Sequence, residues 1–238
     1  MNTIAFQTIK PGVLSTASAF PDPPFEVRSD GARTGFDADL VQALCDRLGL
    51  RRDVVEYGGD DFNGIFGGLA SRRYDAVISG TTITPERAEV ALFSAPYLES
   101  GQSLVVNAER TPEIRSVDDL SGRTVGIQVG NTSGVVARRL EARGAIAGIR
   151  YYPYDGILDA LDDLSAGKIG AVMKLLPVTR WLVRDRPDLV VVQEIPTRER
   201  LGIAFALDNA PLRDAVNGAL AELGADGTLD RLKRPWLT

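Results

Sequence analysis

The hydrophobic and polar positions along the chain switch between two periods, one typical of short strands and the other of amphipathic helices. Apolar residues predict one helix over residues 36–50 and a second over 62–69, with spacings that put them on one face: Leu40, Leu44 and Leu48 in the first, Phe62, Ile65, Phe66 and Leu69 in the second. Further helices are predicted over residues 132–142, 157–164, 211–223 and 228–232, and one from 177. Strands are predicted over 74–79, 124–129, 169–173, 189–193 and 201–207. This alternation predicts an α/β fold.

Two stretches, residues 101–106 and 192–204, have the pattern of extended chain and not of turns. We interpret both as crossings between two lobes. The predicted lobes are residues 1–102 with 198–238, and residues 103–197. Two crossings of this kind are typical of a hinge with a binding cleft between the lobes.

The length of 238 residues is enough for two lobes of about 100–120 residues each. The net charge of −5 and the interleaving of Arg with Asp and Glu indicate a solvated surface, so we expect no nucleic-acid partner. No apolar run approaches the ~20 residues that span a bilayer. Residues 1–6 lack the basic start and long apolar core of a signal peptide. We therefore expect either a cytosolic protein or an exported one whose leader is absent.

The chain has no histidine and one cysteine, which removes the commonest general base and any internal disulfide. Cys45 lies on an apolar helix face, and we expect a buried, inert thiol. With no metal-ligand or phosphate-binding motif either, we predict neither a metal nor a cofactor.

The most informative segment is residues 78–87 (Ile-Ser-Gly-Thr-Thr-Ile-Thr-Pro-Glu-Arg), which reads as a strand end, a hydroxyl-lined turn and a helix start. Thr84 can cap that helix, and Pro85 suits its first position. Arg87 in the first turn opposes the helix dipole, which disfavours a merely solvated role. A guanidinium held near hydroxyls matches a carboxylate with two hydrogen bonds, so we predict a carboxylate receptor. The alternative is a structural ion pair.

This segment is one of several short motifs whose order resembles that of the extracellular solute-binding proteins, family 3. That family is the amino-acid class with the type II periplasmic binding protein fold. The motifs lie at residues 24–26 (Pro-Phe-Glu), 35–40 (Gly-Phe-Asp-Ala-Asp-Leu), 74–80 (Tyr-Asp-Ala-Val-Ile-Ser-Gly), 82–87, 93–97 (Phe-Ser-Ala-Pro-Tyr), 119–126 (Asp-Leu-Ser-Gly-Arg-Thr-Val-Gly) and 226–229 (Asp-Gly-Thr-Leu). The resemblance covers nearly the whole chain.

The resemblance implies a two-lobed α/β fold that closes around a small polar solute. It implies that Arg87 binds the ligand α-carboxylate and that the backbone and hydroxyls around Gly80 and Thr82 line the first lobe. Phe62 matches a position where the family packs an aromatic ring against the ligand side chain. Phe62 also fits the apolar face of its own helix, and both roles stay open here.

In the second lobe, residues 128–134 match the family's strand, loop and helix start. Gly130 allows a close backbone approach, while Asn131, Thr132 and Ser133 are all capping residue types. The free N–H groups of such a helix start, aided by the dipole, form an anion site. The alternative is an ordinary capped helix. If Arg87 and these amides grip one carboxylate, binding is coupled to closure.

One departure from the family concerns the ligand ammonium group. The family's ammonium-binding Asp falls on Leu175, with Lys174 beside it and Gly170 in place of another Asp. An ammonium that faces these residues would lack a counter-charge, at a cost of several kcal/mol.

Two hypotheses follow from this departure. In the first, the ligand is a zwitterion whose cation is held by Asp22 or, less well placed, Asp155. In the second, the ligand is an anion without an α-amine, and Lys174 adds a positive contact. Asp22 could instead be a turn residue between prolines, and strand alternation could point Lys174 away from the cleft.

We therefore predict a monomeric, non-enzymatic substrate-binding protein of an ABC importer. It would lie outside the cytoplasm, in the periplasm or anchored at the cell surface, with a membrane permease as its partner. One alternative is a sensor module cut from a receptor. The other is an enzyme like cyclohexadienyl dehydratase on the same fold, which would need an acid with a raised pKa in the cleft. No Glu stands at positions 170 and 175 to supply it.

Overall fold

A computed structural model describes residues 6–29 and 31–237. Most of the segment interpreted as lacking a signal peptide, residues 1–5, lies outside this part. The strands of the described part are β1 (Val13–Ala19), β2 (Val27–Ser29), β3 (Ala32–Thr34), β4 (Arg51–Tyr57), β5 (Ala76–Val77), β6 (Leu92–Phe93), β7 (Leu98–Asn107), β8 (Thr124–Gln128), β9 (Gly148–Tyr152), β10 (Ala171–Leu175), β11 (Leu189–Leu201) and β12 (Ala204–Phe205). Its α-helices are α1 (Phe36–Leu48), α2 (Gly67–Ala70), α3 (Pro85–Ala88), α4 (Ser133–Ala142), α5 (Ile157–Ser165), α6 (Leu176–Leu182), α7 (Ala210–Ala225) and α8 (Thr228–Leu237).

The chain divides into two compact units. The first unit contains the chain up to Gly58, Gly64–Glu99 and the chain from Arg200 onward, and the second contains Gly59–Asn63 and Ser100–Glu199. The chain changes unit inside β7 and inside β11, the two stretches that the sequence pattern indicated as extended. These changes fall three residues before and two residues after the lobe boundaries that we predicted, and residues 59–63 belong with the second unit.

The first unit is built on a five-stranded sheet in the order β4-β1-β5-β12-β6. Strand β1 pairs in parallel with β4 and β5, whereas β12 runs antiparallel to β5 and β6. Helix α1 packs its apolar side inward with Phe36, Leu40 and Leu44 fully buried. Because parallel strands end at the same edge, the loops after β1 and β5 lie side by side.

The second unit has a five-stranded sheet in the order β11-β7-β10-β8-β9. Strands β10, β8 and β9 are parallel to one another, and β7 runs antiparallel to β10. One apolar cluster around Leu104, Val125 and Met173 packs with helix α4, and a second around Val105, Leu161 and Val172 includes helix α5. The carboxyl ends of β8, β9 and β10 therefore share one edge.

Most predicted elements are present, and the differences have local causes. Helix α1 ends two residues earlier than predicted because Gly49 adopts a left-handed conformation, with φ of 67°, and caps it. The helix predicted over residues 62–69 is instead a 3₁₀-helix, Phe62–Phe66, followed by α2. Glycines at 64, 67 and 68 lower its helical propensity. Strand β11 runs on to Leu201, so the last predicted strand shortens to β12.

Within the described residues no helix combines the length and the apolar character that a membrane crossing requires. Cys45 is fully buried, and burial raises the pKa of its thiol to about 11, as expected for an inert cysteine.

Candidate functional site

Arg87 is held in place by the residues that the sequence pattern predicted around it. Thr84 is the N-cap of α3, its hydroxyl accepts a hydrogen bond from the Arg87 backbone N–H at 3.2 Å, and Pro85 is the first helical residue. The guanidinium Nη1 donates to the carbonyl oxygen of Thr82 at 2.8 Å, and its Cζ lies 5.5 Å from the ring centre of Phe66. Only 7% of Arg87 is exposed. The guanidinium is therefore largely buried and held in one orientation beside the loop after β5.

The loop that carries Gly80 and Thr82 is tied to α1 through a buried carboxylate. Asp37 Oδ2 accepts hydrogen bonds from the Gly80 backbone N–H at 2.7 Å and from the Tyr97 hydroxyl at 3.2 Å. Gly80 has φ of +50°, and a Cβ there would meet the ring of Phe25 at 2.9 Å. Gly80 is thus required by both conformation and space.

Asp37 lies in a buried acidic cluster with Asp22 and Glu26. Burial raises the pKa of Asp37 from 3.8 to about 7, and the negative charge of Asp22 also raises it. Hydrogen bonds with Gly80, Tyr97 and Glu26 lower the pKa and offset part of this increase. Burial likewise raises the pKa of the Tyr97 hydroxyl well above 10. Sequence reasoning missed this cluster, although Glu26 and Asp37 stand in two of the motifs that carry the resemblance.

Asp22, predicted to hold a ligand cation or else to be a turn residue, does form a turn. Its carbonyl oxygen accepts from the backbone N–H groups of Phe25 and Glu26 at 3.0 and 3.1 Å. The residue is 5% exposed, so its carboxylate faces inward and not toward bulk solvent. The peptide bonds before Pro21 and Pro24 in this loop are cis.

In the second unit, the loop after β8 differs from an ordinary capped helix start. Thr132 occupies the N-cap position of α4, but its side chain forms no capping bond. Its hydroxyl instead donates to Glu199 Oε2 at 2.7 Å. Ser133 is fully buried, and no residue of the described chain hydrogen-bonds to its Oγ. Gly130 has φ of +81°, and a Cβ there would lie 2.7 Å from the backbone nitrogen of Phe62, so the predicted close approach is confirmed.

Lys174 points into this loop region. It is 2% exposed, its Nζ donates to Gln128 Oε1 at 2.6 Å, and it lies 5.4 Å from the ring centre of Tyr154. Asn131 donates to the same Gln128 oxygen at 3.0 Å, and the Gln128 amide donates to the Tyr154 carbonyl. The Gln128 side-chain amide therefore links the loop to Lys174 through hydrogen bonds.

Phe62 belongs to the second unit, with 3% of its surface exposed. Its ring packs against Tyr154 with centroids 4.9 Å apart, and its backbone N–H donates to Val129 at 3.3 Å. The segment is a 3₁₀-helix in which Phe62, Ile65 and Phe66 are all buried, so both roles given for Phe62 stay predictions. Asp155, by contrast, is an exposed residue.

Leu175 lies at the end of β10, where it is 8% exposed and pairs with Gln102 of β7. The Gln102 amide nitrogen donates to Glu199 Oε1 at 2.6 Å and to Thr132 Oγ1 at 3.1 Å. Thr197 also donates to Glu199 Oε1 at 3.0 Å. Neither Gln102 nor Glu199 was predicted, because each is remote in sequence from the loop that it contacts.

Sequence comparison places this chain in a known family. A sequence model of the bacterial extracellular solute-binding proteins, family 3, matches residues 14–238. The chain belongs to this family. This solute-binding protein is 33% identical over 216 residues to the L-cystine-binding protein TcyJ of Escherichia coli (strain K12), a match that covers 90% of the chain and 78% of the relative.

Two solved structures share its fold. An ancestral arginine-binding protein bound to arginine has a TM-score of 0.87 at 33% identity, covering 95% of this chain and 99% of the other. The ancestral amino acid-binding protein AncCDT-1, a precursor of cyclohexadienyl dehydratase, has a TM-score of 0.84 at 31% identity, covering 95% and 96%. The predicted family and the α/β fold of type II periplasmic binding proteins are confirmed. The ligand roles of individual residues stay predictions.

Proposed function

We propose that this solute-binding protein captures an amino acid for an ABC importer and catalyses no reaction. It acts as a monomer outside the cytoplasm, and a membrane permease takes the ligand from it. Support for this proposal comes from the family match over residues 14–238 and from relatives named for L-cystine and arginine. The mixed-sign surface with a net charge of −5 supports the absence of a nucleic-acid partner.

The observation that carries the proposal is the setting of Arg87. A buried guanidinium fixed by the Thr82 carbonyl and the Phe66 ring is oriented before a ligand arrives. Guanidinium presents five N–H donors in a planar fork, which allows it to bind both oxygens of a carboxylate while it keeps the bond to Thr82. In this proposal Thr82 and Gly80 contact the ligand beside Arg87. Preorganisation of this kind lowers the cost of binding.

In the second unit, the proposed ligand contacts are the loop residues Asn131, Thr132 and Ser133, with Phe62, Lys174 and Leu175 around them. The buried hydroxyl of Ser133 supports this assignment, because native proteins rarely leave such a group without a partner. The backbone N–H groups at the start of α4 supply further donors to an anionic group.

The test is a calorimetric titration of the wild-type protein and Arg87→Lys. The probes are the common L-amino acids and L-cystine, ranked first by thermal shift. Lysine keeps the charge but not the fork, so we expect the affinity for the best probe to fall about tenfold or more. Arg33→Lys is the matched control, since Arg33 is exposed and donates to Glu56 at 2.7 Å. The proposal is wrong if Arg87→Lys binds as the wild type does.

The alternative that this protein is an enzyme is tested by an activity assay. Because AncCDT-1 is a precursor of cyclohexadienyl dehydratase, the purified protein should be incubated with prephenate and the mixture separated by chromatography. We expect no turnover above the spontaneous rate. Product formation that scales with protein concentration would replace the transport proposal with a catalytic one.

A further inference from the structure

A cavity of about 340 Å³ lies in the second unit, at the edge of its sheet opposite to the loop after β8. Three segments line it, within residues 107–111 at the end of β7, 122–124 at the start of β8, and 164–170 before β10. Strand β8 has five residues, so about 13 Å separate this edge from the proposed ligand loop. The volume falls in the range of small-molecule sites, about 300–1,000 Å³. The cavity is therefore distinct from the amino-acid site.

The described residues that line this cavity include three cations and no acid. The cations are Arg110, Arg123 and Lys168. Two glycines make room for the arginines: a Cβ at Gly170 would lie 2.7 Å from the Cβ of Arg123, and one at Gly167 would lie 3.4 Å from Nη1 of Arg110. Both arginine side chains therefore lie against the backbone of the segment before β10.

Arg110 is held by its inner nitrogen, which leaves its outer nitrogens available. Nε donates to the carbonyl oxygen of Ser165, the last residue of α5, at 2.9 Å. Asn107 Oδ1 accepts from the Arg110 backbone N–H at 2.9 Å, and Asn107 Nδ2 donates to Asp188 at 3.2 Å. Among the described residues, none accepts from Nη1 or Nη2 of Arg110 and no acid forms an ion pair with it. These nitrogens form a planar fork that matches two oxygens of an oxyanion.

The other two cations have acidic partners near the protein surface. Arg123 contacts Glu113 at 2.8 Å, and these side chains are 44% and 56% exposed. Lys168 contacts Asp163 at 2.8 Å, and Arg150 contacts the same carboxylate at 2.8 Å, so two cations share one acid. Exposed ion pairs contribute little stability, so a ligand can share or replace these acids at low cost.

We infer that this cavity binds a small multivalent oxyanion, with the guanidinium of Arg110 as its main contact. A phosphate or polycarboxylate offers two oxygens to this fork and further negative charge to Lys168 and Arg123. Such an ion joins three segments that are remote in sequence, and its binding stabilises the second unit by mass action. The inference goes beyond the proposed function, because no amino acid takes part in it.

The experiment is a calorimetric titration with two probes, pyrophosphate and citrate, in a phosphate-free buffer of low ionic strength. Arg110→Gln removes both the charge and the fork, so we expect its affinity for the better probe to fall about tenfold or more. Arg115→Gln is the matched control, because Arg115 is an exposed cation of the same unit outside the cavity. It should bind as the wild type does. Equal losses in the two variants would show an effect of net charge alone and would overturn the inference.

The two probes distinguish the sources of the oxyanion. Binding of pyrophosphate alone would assign the cavity to phosphates, and binding of citrate alone would assign it to polycarboxylates. If neither probe binds the wild type, the inference is wrong. If Arg110→Gln does not fold, Lys168→Gln takes its place, since the Lys168 side chain is 63% exposed. Lys168→Gln should also weaken binding, and an unchanged affinity would contradict the inference.

Amide NMR of the wild-type protein locates the bound ion. We expect pyrophosphate to shift the signals of Gly122, Gly167 and Gly170, which line the cavity. The signals of Gly80 and Gly130, beside the proposed amino-acid contacts, should stay in place. Shifts at Gly80 or Gly130 alone would show that the anion occupies the amino-acid site, and the second site would not exist. Failure of every amino acid to bind would overturn the proposed function and leave this result unaffected.

Discussion

Asp37→Asn should change how the stability of this protein depends on pH. Asp37 is 1% exposed, and burial raises its pKa from 3.8 to about 7. Between these two pH values the native state binds more protons than the unfolded state, so stability falls as the pH rises. The pKa difference corresponds to about 4 kcal/mol of unfolding free energy, lost between pH 4 and 7.

Asn is neutral throughout this range and keeps an oxygen that can accept from the Gly80 N–H. We therefore expect Asp37→Asn to gain stability relative to the wild type as the pH rises, by about 4 kcal/mol between roughly pH 4 and pH 8. The assay is urea denaturation of both proteins across this range, followed by circular dichroism. Asp46→Asn, an exposed acid on the same helix, controls for surface charge.

The reasoning would be refuted by a difference between Asp37→Asn and the wild type that stays constant within about 1 kcal/mol over this range. Carboxyl carbon NMR provides a direct check, since the Asp37 resonance should titrate near pH 7. A titration of Asp37 near pH 4 would show that burial does not raise its pKa, and the prediction would be wrong.

Three further predictions concern stability and are measured by chemical denaturation. Gly35→Ala should cost more than about 2 kcal/mol, because φ is +123° and a Cβ would lie 2.7 Å from the carbonyl carbon of Phe25. Gly31→Ala, with φ of +78° and open space, should cost only about 1 kcal/mol, and equal losses would contradict the steric argument. Thr84→Ala should cost about 1 kcal/mol through the lost cap of α3, and Thr84→Ser should restore most of it. Leu104→Ala should cost about 2–5 kcal/mol in the core of the second unit, while Leu104→Met should cost less than about 1.5 kcal/mol; similar losses would show that cavity volume is not the cause.

The sequence by itself determined the features that depend on neighbours a few residues apart. The start of α3 follows from Thr84, Pro85 and Arg87 within one turn. Ser116 and Asp119, three positions apart, likewise form a capping box with both reciprocal hydrogen bonds. Capping and helical periodicity act over three or four residues, so a linear pattern contains all the information that they need.

Strand β1 shows where this local information ends. All seven of its residues are buried, including Ser15, Thr16 and Ser18, so it has no alternation of polar and apolar positions. Two of its hydroxyls bond to neighbouring segments. Thr16 donates to the Asp53 carbonyl of β4 at 3.3 Å, and Ser18 donates to the carbonyl of Ile78, directly after β5, at 2.7 Å. A strand buried on both faces in a parallel sheet gives no period-two signal.

Only the tertiary structure assembled the buried acidic groups within each unit. In the first unit, the loop after β1 brings the Glu26 side chain to Asp37 in the first turn of α1, and Asp37 accepts from the Gly80 N–H. Glu199 meets Thr132 across 67 positions of sequence and Gln102 across 97. Sheet order decides these contacts, because β7 lies between β10 and β11 whatever their distance along the chain. A carboxylate acquires its role from the donors and charges that surround it, and those are set by packing.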